Sequence, residues 1–119
     1  MDERRQYDRV EEQNQVSVTV IAAPAARTIE NRTFFCRTAD LSVSGLRLHV
    51  KTPIPEGAAL ALRVAFMEPL VAFKLVGRSA WSKTSGSGYE VGVEFRDCPE
   101  RLLARWREVV AAKVRDEVA

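Results

Sequence analysis

The sequence predicts an all-β domain that ends in a single α-helix, and two features of its pattern support this. Apolar and polar residues alternate with a period of two from about residue 13 to 97, which is typical of strands with one buried face. After residue 97 the apolar period changes to three and four residues, as expected of an amphipathic helix. Short strands without helices between them favour an antiparallel barrel or sandwich over a parallel sheet.

Six runs of residues carry the β pattern. In the first run, "QVSVTVIA", the three valines point one way and the polar residues point the other. The other five runs are "RTFFCRTA" (32–39), "GLRLHVK" (45–51), "ALALRVAF" (59–66), "LVAFKLVGRSAWSK" (70–83) and "YEVGVEF" (89–95). The proline- and glycine-containing segments "TPIPEGA" and "SGSG" break the alternation and are expected to be loops. Gly77, inside the fifth run, is the expected site of a bend.

The last segment, residues 98–119, is predicted to be the helix. Asp97 and Glu100 have the spacing of a capping box, and Pro99 suits the first turn because its missing N–H costs nothing there. One face carries an apolar stripe made of Leu103, Trp106, Val110 and Val114. We expect this stripe to dock on an open end of the β domain. A partner or dimer contact through the stripe, or through Trp106 alone, is the alternative, and the mixed charges on the polar face disfavour a membrane-surface helix.

Length and composition limit the function classes. The 119 residues are predicted to form one domain (1–119), with a formal net charge of only +2 that disfavours nucleic acid as a partner. Cys36 and Cys98 are too few for a disulfide framework, and His49, the one histidine, is expected on a strand surface. No segment is apolar enough for a signal peptide or a membrane span, so the cytoplasm is expected. Familiar catalytic motifs are missing from the sequence, which predicts neither an enzyme nor a metal or catalytic cofactor.

Two short polar segments stand out from this background. The first is "ERRQYDR", which carries Arg4, Arg5 and Arg9. Five acids and three arginines give residues 1–12 a formal charge of −2, so an anion bound here must be recognised by geometry rather than bulk charge. These residues have no apolar anchors, and we expect them to be mobile without a ligand.

The second segment is "DLSVSG", which contains Asp40, Ser42 and Gly45. By itself it predicts a turn in which Asp and Ser bond nearby backbone and Gly adopts a positive φ. If the first two strands form a hairpin folded around residues 23–31, residue 13 lies opposite 41, give or take a few positions. The arginine segment and the "DLSVSG" segment are then neighbours at one end of the sheet.

The residue types at this shared end suggest a ligand class. Arginine forks suit phosphate oxygens and the O6 and N7 acceptors of guanine. Aspartate can accept hydrogen bonds from the N1 and N2 donors of guanine, and glycine allows close backbone approach. The combination predicts a site for a guanine nucleotide that carries phosphate.

The same residues resemble the PilZ domain family. "RRQYDR" resembles its R-x-x-x-R motif through Arg5 and Arg9, and "DLSVSG" resembles its [D/N]-x-S-x-x-G motif through Asp40, Ser42 and Gly45. Trp81 and "GVEF" (92–95) also resemble the later part of the family. The resemblance implies a six-stranded antiparallel β-barrel of the split-barrel type (13–97) with a C-terminal helix. It also implies a bacterial receptor for the second messenger cyclic di-GMP, with residues 1–12 as the ligand-binding segment.

The resemblance further implies a role for each motif residue. Arg5 and Arg9 would grip phosphate and guanine, Asp40 and Ser42 would hold guanine and its surroundings, and Gly45 would permit the close turn. Arg4 immediately precedes the first motif arginine, a place associated in such domains with an intercalated ligand dimer. Ligand binding would order the arginine segment against the barrel and create a surface for a downstream protein, whose identity the sequence does not give.

The sequence pattern leaves two alternative functions open. A barrel that binds single-stranded nucleic acid needs aromatic platforms on a basic groove, and because Phe34 and Phe35 are adjacent at most one faces outward. The other alternative is a protein–protein interaction barrel that binds no nucleotide, which would leave the arginines solvated.

Overall fold

The computed structural model describes residues 10–118 and shows six antiparallel strands that close into a barrel, followed by one helix. The strands are β1 (Gln15–Ala22), β2 (Thr33–Ser42), β3 (Gly45–Val50), β4 (Ala59–Phe66), β5 (Val71–Ser85) and β6 (Gly88–Phe95), and the helix is α1 (Glu100–Val118). The strand order around the barrel is β1-β2-β3-β6-β5-β4. A short 3₁₀ turn, Arg27–Ile29, lies between β1 and β2. The predicted fold class is therefore confirmed.

The alternation seen in the sequence corresponds to the inside and outside of the barrel. In β1 the side chains of Val16, Val18 and Val20 are buried in the core, while Ser17 and Thr19 point outward. The same division holds in β4, where Leu60, Leu62 and Val64 face inward. Burial of this apolar face stabilises the barrel by about 25 cal/mol for each Å² removed from water.

The helix closes the barrel with its tryptophan. Trp106 is completely buried, and its ring centroid lies 5.2–5.6 Å from those of Phe66, Phe73 and Phe95. Val110 is also buried in this core, whereas Leu103 and Val114 are only half-buried. Trp106, Val110 and Val114 of the stripe thus dock on the barrel as expected, whereas Leu103 does not pack against the core, and a partner contact through Trp106 alone is wrong because no part of the ring is exposed.

Two local predictions, the turn at "DLSVSG" and the bend at Gly77, are corrected by the structure. Asp40 and Ser42 belong to β2, so only Val43 and Ser44 form the turn before β3. The ladder between β5 and β6 shifts between Ser79 and Trp81 rather than at Gly77. Gly77 instead allows close strand approach, since a Cβ there would lie 2.7 Å from the Glu94 carbonyl oxygen.

The start of the helix also differs from the prediction. The N–H of Leu103 donates a hydrogen bond to the carbonyl oxygen of Pro99, so Pro99 precedes the first turn that begins at Glu100. Asp97 lies further upstream with a φ of 57°, which is not the extended conformation of an N-cap residue. The capping-box spacing therefore did not identify the cap.

The cysteines and the histidine fit their predicted surroundings. Cys36 and Cys98 are free thiols and half-buried, and His49 is exposed on β3. Burial raises the pKa of Cys36 to about 12, so this thiol stays protonated at neutral pH. Among the described residues, no helix combines the length and apolar character needed to cross a membrane.

Candidate functional site

The chain enters the barrel beside the end of β2. Val10 and Leu41 form an antiparallel bridge in which each N–H donates to the other's carbonyl oxygen at 2.9 Å. Both side chains are buried in the core. This bridge fixes the backbone just after Arg9 in sequence next to the Asp40–Gly45 segment, 31 positions away from Arg9.

A buried polar cluster holds the same entrance segment in place. The hydroxyl of Thr38 donates to the carbonyl oxygen of Glu12 at 2.6 Å and accepts from the backbone N–H of Asn14 at 2.9 Å. The N–H of Thr38 donates to the carbonyl oxygen of Asn14 at 3.0 Å. Because Thr38 is 1 % exposed, breaking these bonds would leave buried polar groups without partners. The entrance segment is therefore firmly attached to β2.

The register of this pairing differs slightly from the prediction. Gln15 lies opposite Arg37 in the regular ladder, and Val10, rather than residue 13, lies opposite Leu41. Val10 and Gln15 are five positions apart, whereas their partners Leu41 and Arg37 are four positions apart. The entrance segment therefore contains one extra residue between the two pairings. Val10, the residue that follows the arginine segment, therefore lies beside Leu41, while the arginines themselves lie outside the described residues.

The carboxylate of Asp40 is held from the neighbouring strand. Nη2 of Arg47 on β3 lies 3.0 Å from Oδ2 of Asp40, and Nη1 of the same guanidinium lies 3.2 Å from Oε1 of Glu90 on β6. Asp40 is 5 % exposed, so Arg47 balances a largely buried negative charge. Nε of Arg47 is buried and has no hydrogen-bond partner among the described residues. Sequence pattern alone could not predict this role, because Arg47 occupies an ordinary outward position in an alternating strand.

The backbone of Ser42 is tied to the C-terminal helix. The indole Nε1–H of Trp106 donates to the carbonyl oxygen of Ser42 at 2.8 Å. The hydroxyl of Ser42 donates to the carbonyl oxygen of Gly45 at 3.2 Å across the two-residue turn. Trp106 therefore both fills the barrel end and positions the backbone of the "DLSVSG" segment, a link that helical periodicity could not predict.

Gly45 has a packing role rather than the predicted turn role. Its φ is not in the positive range, and a Cβ at this position would lie 2.0 Å from the carbonyl oxygen of Val93 on β6. That carbonyl is backbone in the middle of a paired strand and cannot move aside without disturbing the ladder. Gly45 thus allows β3 to approach β6 closely at the edge of the candidate site.

We expect Gly45→Ala to lower the free energy of unfolding by about 1–3 kcal/mol or more, because overpacking moves β3 away from β6. Urea unfolding followed by circular dichroism measures the change. Ser44→Ala, at an exposed position in the same turn, is the matched control and should leave the unfolding midpoint nearly unchanged. Equal midpoints for the two variants would contradict the close-approach role of Gly45.

Trp81 lies beside the same turn. Its indole covers Gly92, since a Cβ at Gly92 would lie 2.2 Å from Trp81 Nε1. The ring is 39 % exposed, and Nζ of Lys83 lies 5.5 Å from its centroid. A cleft of about 100 Å³ here is lined by residues of the turn, including Ser42 and Gly45, and by Trp81.

The described residues form one part of the predicted site. Asp40, Ser42 and Gly45 lie together at the β2–β3 turn, whereas Arg4, Arg5 and Arg9 lie outside the described residues. The cleft at the turn is smaller than the roughly 300–1,000 Å³ of typical ligand pockets, so the described residues do not by themselves form a nucleotide-sized pocket there. No group of three or more potential metal ligands occurs within residues 10–118.

Comparisons with known proteins identify the family. The family model described as "PilZ domain" matches residues 3–112. No curated protein matches the sequence. Among solved structures, the inhibitor of motility MotI/DgrA from Bacillus subtilis is similar with a TM-score of 0.75 and 11 % identity. The match covers 94 % of this chain and 52 % of MotI, so the chain spans about half the length of that protein.

Two further structures are PilZ domains of nearly equal size. The PilZ domain of YcgR from Escherichia coli, solved with c-di-GMP, has a TM-score of 0.64 and 16 % identity, with 92 % of this chain and 90 % of that chain covered. The PilZ domain of CeSA from a cellulose-synthesizing bacterium has a TM-score of 0.60 and 16 % identity, with 87 % and 95 % covered. Identities this low support the fold alone, but the family model spans most of the sequence. With its closed six-stranded barrel and C-terminal helix, the chain is a member of the PilZ domain family.

Proposed function

We propose that this protein is a cyclic di-GMP receptor that acts as an adaptor in the bacterial cytoplasm and catalyses no reaction. The observation that supports this best is the Val10–Leu41 bridge, which places the residue directly after the arginine segment beside the Asp40–Gly45 segment. Family membership and the YcgR PilZ structure solved with c-di-GMP support cyclic di-GMP as the ligand.

The residues have complementary tasks in this proposal. Arg5 and Arg9 bind the ligand phosphates and the guanine edge with their planar donor forks. Asp40 and Ser42 bind guanine and its surroundings. Arg47 holds the Asp40 carboxylate in one orientation through the 3.0 Å contact, so less rotational freedom is lost when the ligand binds.

The output of the receptor is a change at the barrel rim. Val10 and Glu12 are already bonded to β2, contrary to the expectation that all of residues 1–12 lack an apolar anchor. In our proposal the ligand phosphates therefore draw Arg5 and Arg9 against the barrel, which orders the residues before Val10 and creates a surface that is part protein and part nucleotide. A downstream protein binds that surface. Nζ of Lys113 on α1 lies 2.8 Å from Oε1 of Glu12, the last residue of the 1–12 segment. The helix therefore lies beside the point where this segment joins the barrel.

We also propose that two ligand molecules bind as an intercalated dimer. Arg4 supplies the additional cation beside Arg5, in the place that the resemblance to PilZ domains associates with a ligand dimer. A calorimetric stoichiometry of two per chain, falling to one in Arg4→Ala, is the expected result. A stoichiometry of one in the unaltered chain would contradict this part of the proposal.

Thermal unfolding with and without ligand tests the receptor function itself. A ligand present at 100 times its dissociation constant adds about 2.7 kcal/mol to the stability of the folded state. We therefore expect cyclic di-GMP to raise the melting temperature by several degrees. Cyclic di-AMP has the same phosphates but lacks the guanine edge, and it should give a much smaller shift. No shift with millimolar cyclic di-GMP would favour an interaction barrel that binds no nucleotide.

A further inference from the structure

Phe35 is an aromatic side chain placed almost wholly in solvent. It lies on the outer face of β2 and is 86 % exposed, although its neighbour Phe34 packs against the core. The strand register places Ser17 of β1 opposite Phe35, Arg63 of β4 opposite Ser17, and Lys74 of β5 opposite Arg63. These side chains therefore form one row across the outside of four neighbouring strands.

The same face is positively charged. Arg37 lies two residues after Phe35 on β2, and neither it nor Arg63 or Lys74 forms an ion pair with any other described residue. The strands β1, β2, β4 and β5 contain a single acidic residue, Asp40, and it is buried. We call the surface formed by Phe35, Arg37, Arg63 and Lys74 the Phe35 face.

The opposite side of the barrel has a different charge pattern. There β6 carries Glu90, paired with Arg47 and Lys83, and Glu94, paired with Arg96. The chain as a whole has a net charge of only +2, so the unpaired cations of the Phe35 face are a local feature. Such a local field favours an acidic partner over a neutral one.

The surface on both sides of Phe35 is recessed. One cleft of about 550 Å³ lies between β2, β1 and β4 and is lined by Phe35, Arg37 and Arg63 among others. A second cleft of about 570 Å³ lies between β2 and β3, where His49 and Lys51 join Phe35 and Arg37. A partner can therefore place side chains beside the phenyl ring and carboxylates on the cations.

Other occupants fit these features less well. A second copy of the chain would bring like charges together around Phe35, which is unfavourable. A bilayer surface is flat and would leave both clefts unfilled. A single strand of nucleic acid needs several stacking platforms along a groove, and the Phe35 face has one aromatic ring among Ser17, Thr19 and Thr33.

We propose that the Phe35 face is a docking site for an acidic protein segment that places an apolar side chain beside Phe35. Carboxylates of this segment pair with Arg37 and Arg63. The site is separate from the Asp40–Gly45 turn, and the proposal does not depend on nucleotide binding. Phe35 acts as the central anchor because an exposed aromatic ring buries a large area at a low cost in conformational entropy.

Nuclear magnetic resonance titration of the ¹⁵N-labelled full chain, without nucleotide, tests this proposal. The probe is a glutamate-rich peptide with a central leucine and phenylalanine, compared with the same peptide carrying glutamine at every glutamate. We expect the acidic peptide to shift amide signals of β1, β2 and β4 near Phe35, and the glutamine peptide to bind at least about tenfold more weakly. Raising the salt concentration should weaken the acidic peptide further.

Two pairs of variants separate this site from nonspecific attraction. Phe35→Ser should reduce peptide affinity about tenfold or more, whereas Leu70→Ser, at another exposed apolar residue (83 %), should not. Arg63→Glu should weaken binding, whereas Arg101→Glu on the exposed side of α1 should not. All four positions are exposed, and thermal unfolding checks that each variant folds.

Several results would overturn the proposal. These are no binding of the acidic peptide, equal binding of both peptides, equal affinity in Phe35→Ser and Leu70→Ser, or shifts centred on another surface. Tighter binding at the same residues by a single-stranded oligonucleotide or by phosphatidylserine vesicles would instead identify a nucleic-acid or membrane surface and would also refute the proposal.

Discussion

We expect Arg9→Ala to weaken cyclic di-GMP binding by about tenfold to a hundredfold or more while leaving the barrel folded. Each charge-assisted hydrogen bond to phosphate or to a guanine edge contributes about 1.5–3 kcal/mol, and one tenfold change in affinity corresponds to about 1.4 kcal/mol. Of Arg4, Arg5 and Arg9, Arg9 is the one next to Val10, whose backbone is bonded to Leu41 of the Asp40–Gly45 segment. Arg5→Ala should have an effect of similar size.

Isothermal titration calorimetry measures these affinities. Arg27→Ala is the matched control, because Arg27 is an exposed arginine in the 3₁₀ turn between β1 and β2 and should not contribute to binding. Unchanged affinity in Arg9→Ala and Arg5→Ala would refute the assignment of the arginine segment to the site. An equal loss in Arg27→Ala would show that the effect comes from overall charge instead.

The largest expected effect on stability belongs to Trp106. Trp106→Ala should lower the free energy of unfolding by about 3–5 kcal/mol, because it empties the space between Phe66, Phe73 and Phe95 at the barrel end. A loss of this size is a large part of the roughly 5–15 kcal/mol that stabilises a typical domain. Urea unfolding followed by circular dichroism gives the value.

A second variant separates packing from hydrogen bonding at this position. Trp106→Phe keeps much of the apolar contact but removes the indole donor from the Ser42 carbonyl, at a cost of about 1–3 kcal/mol. Trp81→Ala, at a half-exposed tryptophan on β5, is the control and should cost much less than Trp106→Ala. Similar losses at Trp81 and Trp106 would contradict the closing role of the helix.

Much of the fold followed from local pattern. Alternation located all six strands because each has one face in the core, and a switch to helical spacing located α1 with Trp106 on its buried side. Local pattern failed where long-range contacts decide the conformation. Gly45 was expected to serve a turn, yet the backbone of Val93 makes glycine necessary there. Asp97 had capping-box spacing, but its φ of 57° excludes it from the cap.

In the candidate site, too, features set by local pattern could be predicted and features set by long-range contacts could not. Hairpin geometry predicted that the arginine segment and the "DLSVSG" segment meet; the Val10–Leu41 bridge places the residue that follows the arginine segment beside "DLSVSG", and the meeting of the arginines themselves stays a prediction. The contacts that support the site were not predictable, because they join residues far apart in sequence. Arg47 reaches Asp40 from the next strand, and Trp106 reaches the Ser42 carbonyl from the helix, 64 positions away. The exposure of Phe35 rather than Phe34 likewise depends on the strand register, which alternation alone leaves ambiguous in "TFFC".

Titration of the ¹⁵N-labelled chain with cyclic di-GMP, followed by nuclear magnetic resonance, tests the central claim most directly. If the nucleotide binds where the arginine segment meets the β2–β3 turn, saturating ligand will shift the amide signals of Val10 and of residues 40–46 most strongly, and the signals around Phe35 will change little. Absence of shifts at millimolar nucleotide, or shifts confined to surfaces remote from this turn, would contradict it.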